Sequence, residues 1–114
     1  GHRGEELALA FLQEKGYQLV CRNYRTSFGE VDLIMHYPER DVLVFVEVKS
    51  GTRRQFSGFH ESITPKKCAK LAKVAVAFIE NQKRGHEAYR IDAVFVERGP
   101  TEQVIHLENV HIMA

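Results

Sequence analysis

This 114-residue chain is short of several signatures that would assign a role by themselves. It holds two cysteines, Cys21 and Cys68, which do not form a metal-binding motif. Lone cysteines fit free thiols in a reducing compartment, although a single disulfide stays compatible with the spacing. The histidines at 2, 36, 60, 86, 106 and 111 are scattered without zinc-ligand spacing. No apolar run approaches the length of a membrane span and no signal-peptide pattern opens the chain, so the cytoplasm is the expected compartment. Net charge is only +1, so bulk charge does not announce a nucleic-acid binder. Internal repeats and low-complexity segments are missing too. A chain of this length can bury one reasonable core, so a single domain over residues 1–114 is expected.

What is present is an apolar run closing on charge. Leu43-Val44-Phe45-Val46-Glu47-Val48-Lys49 has the β-branched and aromatic character of a strand inside a sheet. Side chains alternate faces, so Glu47 and Lys49 share one, roughly 7 Å apart. Leaving a lone carboxylate there would cost on the order of several kcal/mol or more, and the charge needs an opposing one. Lys49 and a metal ion are the two candidates. Upstream, Gly29-Glu30-Val31-Asp32-Leu33-Ile34-Met35 reads as another strand, with Glu30 and Asp32 on one face and Val31, Leu33 and Met35 on the other. The turn signal Tyr37-Pro38-Glu39-Arg40-Asp41 joins the two at hairpin spacing, which predicts antiparallel pairing.

An acid on one strand, with an acid and a lysine on the next, makes a hard oxygen site for a divalent cation. Magnesium favours one or two carboxylates plus waters and phosphate oxygens. Phosphodiester hydrolysis needs such a set. Asp32 and Glu47 would hold Mg2+ or Mn2+, which lowers the pKa of bound water. Lys49 would position or deprotonate that water, or set positive charge beside the phosphate, and the sequence leaves those roles open. Taken alone, Glu-x-Lys at a strand end is an ordinary ion pair. It is the combination that points to a metal site.

Charge is unevenly distributed. Lys49, Arg53, Arg54, Lys66, Lys67, Lys70 and Lys73 crowd the stretch from 49 to 73, where Glu61 is the sole acid. Arg53, Arg54, Lys66, Lys67 and Lys70 are therefore candidate phosphate contacts, carrying no sequence information. The competing reading is a solvated helix face, since Lys66, Lys70 and Lys73 fall on one side at helical spacing.

The coarse element order is α-β-β-β-α-β-β. A helix is expected over 3–15, ended by Gly16, and strands over 17–24, 30–36 and 42–49. In the first strand Leu19 and Cys21 should share a side opposite Val20. Residues 50–62 read as a long polar loop containing Phe56, Phe59 and His60, where an aromatic would either stack on a base or anchor the loop. Thr64-Pro65 caps a second helix that runs to about Lys83, burying Leu71, Val74, Ala75, Phe78 and Ile79 and ending at Arg84-Gly85. Strands over 89–96 and 103–107, with a turn at Arg98-Gly99-Pro100, complete the α/β order. Arg90 and Asp92 alternate on one face and are expected to pair with each other.

Gly1-x-x-Gly4-Glu5-x-x-Ala8, Gly16-Tyr17, Arg22-Asn23-Tyr24-Arg25, Gly29-Glu30-Val31-Asp32-Leu33-Ile34, Val44-Phe45-Val46-Glu47-Val48-Lys49, Phe56, Ile63-Thr64, Lys67, Leu71 and Arg90-Ile91-Asp92 together resemble the YraN family of bacterial proteins. That family sits in the restriction-endonuclease-like PD-(D/E)xK nuclease superfamily and is similar to archaeal Holliday junction resolvases. The resemblance implies a restriction-endonuclease-like core, a mixed sheet flanked by helices. It implies Asp32, Glu47 and Lys49 as the catalytic core and adds Glu5 as a further acid near the metal. It implies DNA, including branched DNA, as substrate, and a homodimer as the assembly. Many relatives carry an arginine two residues after the lysine. Here that position is Gly51, with Arg53 and Arg54 slightly later. The sequence thus carries an endonuclease reading and, beside it, a nucleic-acid-binding module without turnover, or an assembly protein with purely structural carboxylates.

Overall fold

The computed structural model describes residues 2–82, 88–100 and 102–113. Its elements run α1 (His2–Glu14), β1 (Gln18–Thr26), β2 (Gly29–Tyr37), β3 (Val42–Gly51), α2 (Arg53–Phe56), α3 (Phe59–Ser62), α4 (Pro65–Gln82), β4 (Tyr89–Glu97), β5 (Val104–Leu107) and α5 (Val110–Met113). The strands form one mixed sheet in the order β1-β2-β3-β4-β5. β1, β2 and β3 pair antiparallel, β3 and β4 pair parallel across the α4 connection, and β5 returns antiparallel on β4. Helices cover both faces, the α/β arrangement expected of a restriction-endonuclease-like core. No helix among the described residues is long and apolar enough to cross a membrane.

Alternation along β3 and β4 builds two cores. Leu43, Phe45, Ile91, Ala93 and Phe95 point toward α4, where Cys68, Leu71, Val74, Ala75 and Phe78 meet them. Val42, Val44, Val46, Val94 and Val96 point the other way, onto Ala8, Leu9 and Leu12 of α1. α1 ends at Gly16 with φ +97°, a left-handed turn that suits glycine. There the Tyr17 amide donates back to the Leu12 carbonyl and the Gly16 amide to Gln13, both at 3.0 Å. α4 starts as its sequence predicts, the Lys67 amide donating to Thr64 Oγ1 at 3.2 Å. The helix stop expected at Arg84-Gly85 lies outside the described residues.

Three local expectations are corrected. First, residues 50–62 are not one polar loop. β3 extends to Gly51, and two four-residue helices follow. Thr52 and Gln55 form a capping box that starts α2, while Phe56 and Phe59 pack their rings on Phe95 at 5.4 and 5.1 Å. Phe59 is buried, so the anchoring role holds. A Cβ at Gly51 would press on the Gln55 side chain, which closes that capping box.

Second, Val20 and Cys21 pack against the same core, because a register shift between Leu19 and Cys21 breaks the alternation. Third, Val31 joins the α4-side core while Leu33 and Met35 join the α1-side core. β2 changes face around Asp32. Opposite that point on β1, Asn23 takes a left-handed φ of 51°, which an asparagine tolerates better than most residues. β2 pairs with β3 from Tyr37 back to Leu33, and the paired register ends there.

Candidate acidic cleft

The place where β2 parts from β3 is where the acids gather. Past Leu33 the Val48 amide has lost its ladder partner on β2, and Asp32 Oδ2 accepts its hydrogen bond instead at 2.7 Å. The half-buried Asp32 side chain therefore bridges the two strands where their backbone pairing stops. Glu47, on the α4-facing side of β3, is partly buried. Glu5 reaches the same region from the first turn of α1, and its Oε1 is a buried side-chain oxygen with no hydrogen-bond partner. Gly4 lets α1 approach this closely, since a Cβ there would meet Ser50 Cβ at 3.1 Å.

The electrostatics of Asp32 follow from these neighbours. Burial pushes its carboxyl above the ordinary carboxylate range, and the negative charges of Glu5, Glu47 and Glu30 push the same way. The Val48 hydrogen bond opposes them without prevailing. Two further expected site residues, Glu47 and Glu5, are thus near enough for their charges to act on Asp32. Among the described residues no three His, Cys, Asp or Glu side chains are grouped closely enough to hold a metal ion as they stand.

Lys49 points the same way as Glu47 but is exposed, one strand step further along. The charge that opposes Glu47 is a different one. Lys67 Nζ of α4 stands 3.9 Å from Glu47 Oε2, a contact the i, i+2 spacing could not reveal. Lys67 and Lys70 line a cleft of about 220 Å3 together with Gly29, Glu30, Glu47, Leu71 and Val74. The rest of the basic stretch scatters. Arg53 stands 4.0 Å from Glu97, beyond the far end of β3, and Arg54 and Lys66 are exposed. Lys73 sits over the exposed Phe28 ring at 5.8 Å. Glu30 pairs with Arg25 at 2.7 Å.

A second polar cluster lies under α1. Asp92 is fully buried and accepts from Arg90 Nε and Nη2 at 2.9 and 3.0 Å, from His106 Nε2 at 2.6 Å and from the Asn109 amide at 2.9 Å. Arg90 donates in turn to Tyr17 Oη at 2.6 Å, and Tyr17 stacks on Tyr37 at 4.4 Å. Burial would raise the Asp92 carboxyl, yet the hydrogen bonds from His106, Arg90 and Asn109 outweigh it and hold the group below the ordinary range. The Arg90–Asp92 pair was legible from its alternation. His106 and Tyr17 were not, since they join it from β5 and from the end of α1. Both cysteines are free.

The profile of the uncharacterised protein family UPF0102 matches residues 4–96. A UPF0102 protein of Mycolicibacterium gilvum is 35% identical over 112 residues, covering 96% of this chain and 91% of that relative. One from a Sulfurihydrogenibium strain is 38% identical over 105 residues, covering 92% and 87%. A third, from Neisseria meningitidis serogroup C, is 39% identical over 97 residues, covering 85% and 83%.

Proposed function

The chain belongs to UPF0102, the YraN family, and we propose that it is a single-domain, divalent-metal-dependent endonuclease that hydrolyses DNA phosphodiester bonds in its acidic cleft, branched DNA included. One observation carries this reading. The negative charges of Glu5, Glu47 and Glu30 all act on the half-buried Asp32, a buried Glu5 oxygen is left unpaired, and lysines line a cleft shared with Glu30 and Glu47. A buried polar atom without a partner is costly, and a divalent cation with its water shell relieves that cost. Asp32 and Glu47 suit magnesium in number and kind and would hold it, with Glu5 as a further acid near the metal. When bound, the cation supplies Lewis acidity at the phosphate and an acidified water.

The remaining work falls to the chain's own residues. Asp32, tied to the Val48 amide, fixes the orientation of the site relative to β3. Lys49, exposed at the end of the same strand, reaches the attacking water or a phosphate oxygen. Lys67 and Lys70 hold the nucleic-acid backbone without reading its sequence.

The second reading, a binding module without turnover, draws on the Lys67–Glu47 contact, which already opposes one acid without metal. Cleavage of labelled single-stranded, duplex, flap and four-way-junction DNAs in Mn2+, Mg2+ or EDTA separates the two. The endonuclease reading expects metal-dependent cutting that Glu47→Ala abolishes while the fold survives. Salt-sensitive DNA binding with no cutting of any form would select the binding module. Equal cutting by wild type and Glu47→Ala would remove the site.

A further inference from the structure

Lys67 occupies an unusual position for a simple phosphate contact. Its ammonium faces Glu47 across the cleft, from the first turn of α4, at 3.9 Å. That is well outside the 2.7–2.9 Å typical of a charge-assisted hydrogen bond, so charge rather than a directed bond holds it there. The lysine backbone is fixed by the Thr64 cap, whereas its side chain is 40% exposed and can swing. Glu47 is less exposed, at 25%, and belongs to the sheet. The pair thus joins a stationary carboxylate to a movable ammonium, in a cleft open to solvent.

We infer that Lys67 is the resident counter-ion of Glu47 in the metal-free protein, and that it gives up Glu47 to a divalent cation and turns to a nucleic-acid phosphate. This rests on the endonuclease reading of the cleft. A dication at Glu47 repels the nearby ammonium, and a phosphate entering the cleft attracts it. The exchange keeps the acids partly neutralised at every stage. It also makes metal and nucleic acid helpers of one another, because each favours the displaced position of Lys67. Without nucleic acid, Lys67 opposes metal entry and lowers affinity for the bare cation. This second role separates Lys67 from Lys70, which lines the same cleft.

The test is a calorimetric Mn2+ titration without DNA, alongside fluorescence-anisotropy binding of a labelled four-way junction in Ca2+. Lys67→Gln is expected to bind Mn2+ more tightly, by roughly five- to tenfold, since a unit charge about 4 Å from the ligand is removed from a partly exposed site. The same variant is expected to bind DNA more weakly, by roughly threefold or more, through the loss of one phosphate contact. Lys67→Arg, which keeps the charge, should return both affinities toward wild type. The opposite signs are the signature, because a structural role or a plain phosphate contact would not tighten Mn2+ binding. Unchanged or weaker Mn2+ binding in Lys67→Gln overturns the inference when wild-type binding is lost in Asp32→Asn, and the cleft reading then stands. Mn2+ binding that is absent from wild type and Lys67→Gln alike overturns both.

Discussion

Asp32 and Asp92 sit on strands of the same sheet, each taking a main-chain amide at hydrogen-bond distance, from Val48 and Asn109, yet they are driven in opposite directions. Burial acts alike on both, raising the carboxyl. Their partners decide the outcome. Asp92 has Arg90 in bidentate contact with both oxygens and His106 sharing Oδ2, and ends below the ordinary range. Asp32 has Glu5, Glu47 and Glu30 for company, and ends above it. One cluster is closed upon itself, with the needs of its buried acid met by protein groups. The other is left short of positive charge. A buried carboxylate completed by its own chain serves the fold, whereas one surrounded by other acids leaves room for a cation from outside.

Asp92→Ala should produce the largest effect in the molecule. It strands Arg90 and His106 beneath α1 and removes the acceptor for Asn109, so a loss of about 3–5 kcal/mol in urea unfolding is expected. A loss no larger than that of a surface substitution would erase the distinction between the clusters. Tyr17→Phe removes one charge-assisted donor–acceptor contact to Arg90 and should cost about 1.5–3 kcal/mol in the same measurement.

Asp32→Asn should lie at the small end, neutral or stabilising by up to about 1 kcal/mol. The amide oxygen keeps the Val48 bond while the repulsion of three acids disappears. Its pH dependence sharpens the comparison. The raised folded pKa of Asp32 gives a stabilising contribution below its unfolded pKa that is lost as pH rises through the folded value. The lowered pKa of Asp92 does the reverse, contributing above its unfolded pKa and failing as pH falls through the folded value. Raising pH through the carboxylate range should therefore shift the stability of Asp32→Asn relative to wild type in the favourable direction. For Asp92→Asn the shift should be unfavourable. Paired urea titrations across that range check both signs, and parallel curves would contradict the assignment of partners.

The sequence made the strand order readable because β-branched alternation, glycine stops and a Thr-Pro helix start are local signals. It also put Asp32 and Glu47 on two strands joined at hairpin spacing, and those strands do pair antiparallel. What it could not carry was the geometry of departures. The face change at Asp32 depends on a left-handed Asn23 on the neighbouring strand, and the short helices after Gly51 depend on Phe56 and Phe59 finding Phe95. Partners distant along the chain were equally hidden. Lys67 meets Glu47 through the packing of α4, and His106 reaches Asp92 from β5. Neither contact leaves a spacing that a single sequence can display.

We propose that the acidic cleft, and not the closed cluster, is the part of the molecule that takes a cation. Urea unfolding of wild type, Asp32→Asn and Tyr17→Phe, with and without Mn2+, tests it most directly. Wild type and Tyr17→Phe should both gain stability with Mn2+, by about 2.7 kcal/mol at a hundredfold excess over the dissociation constant, while Asp32→Asn stays flat. Equal gains in all three proteins, or no gain in wild type, would contradict the account.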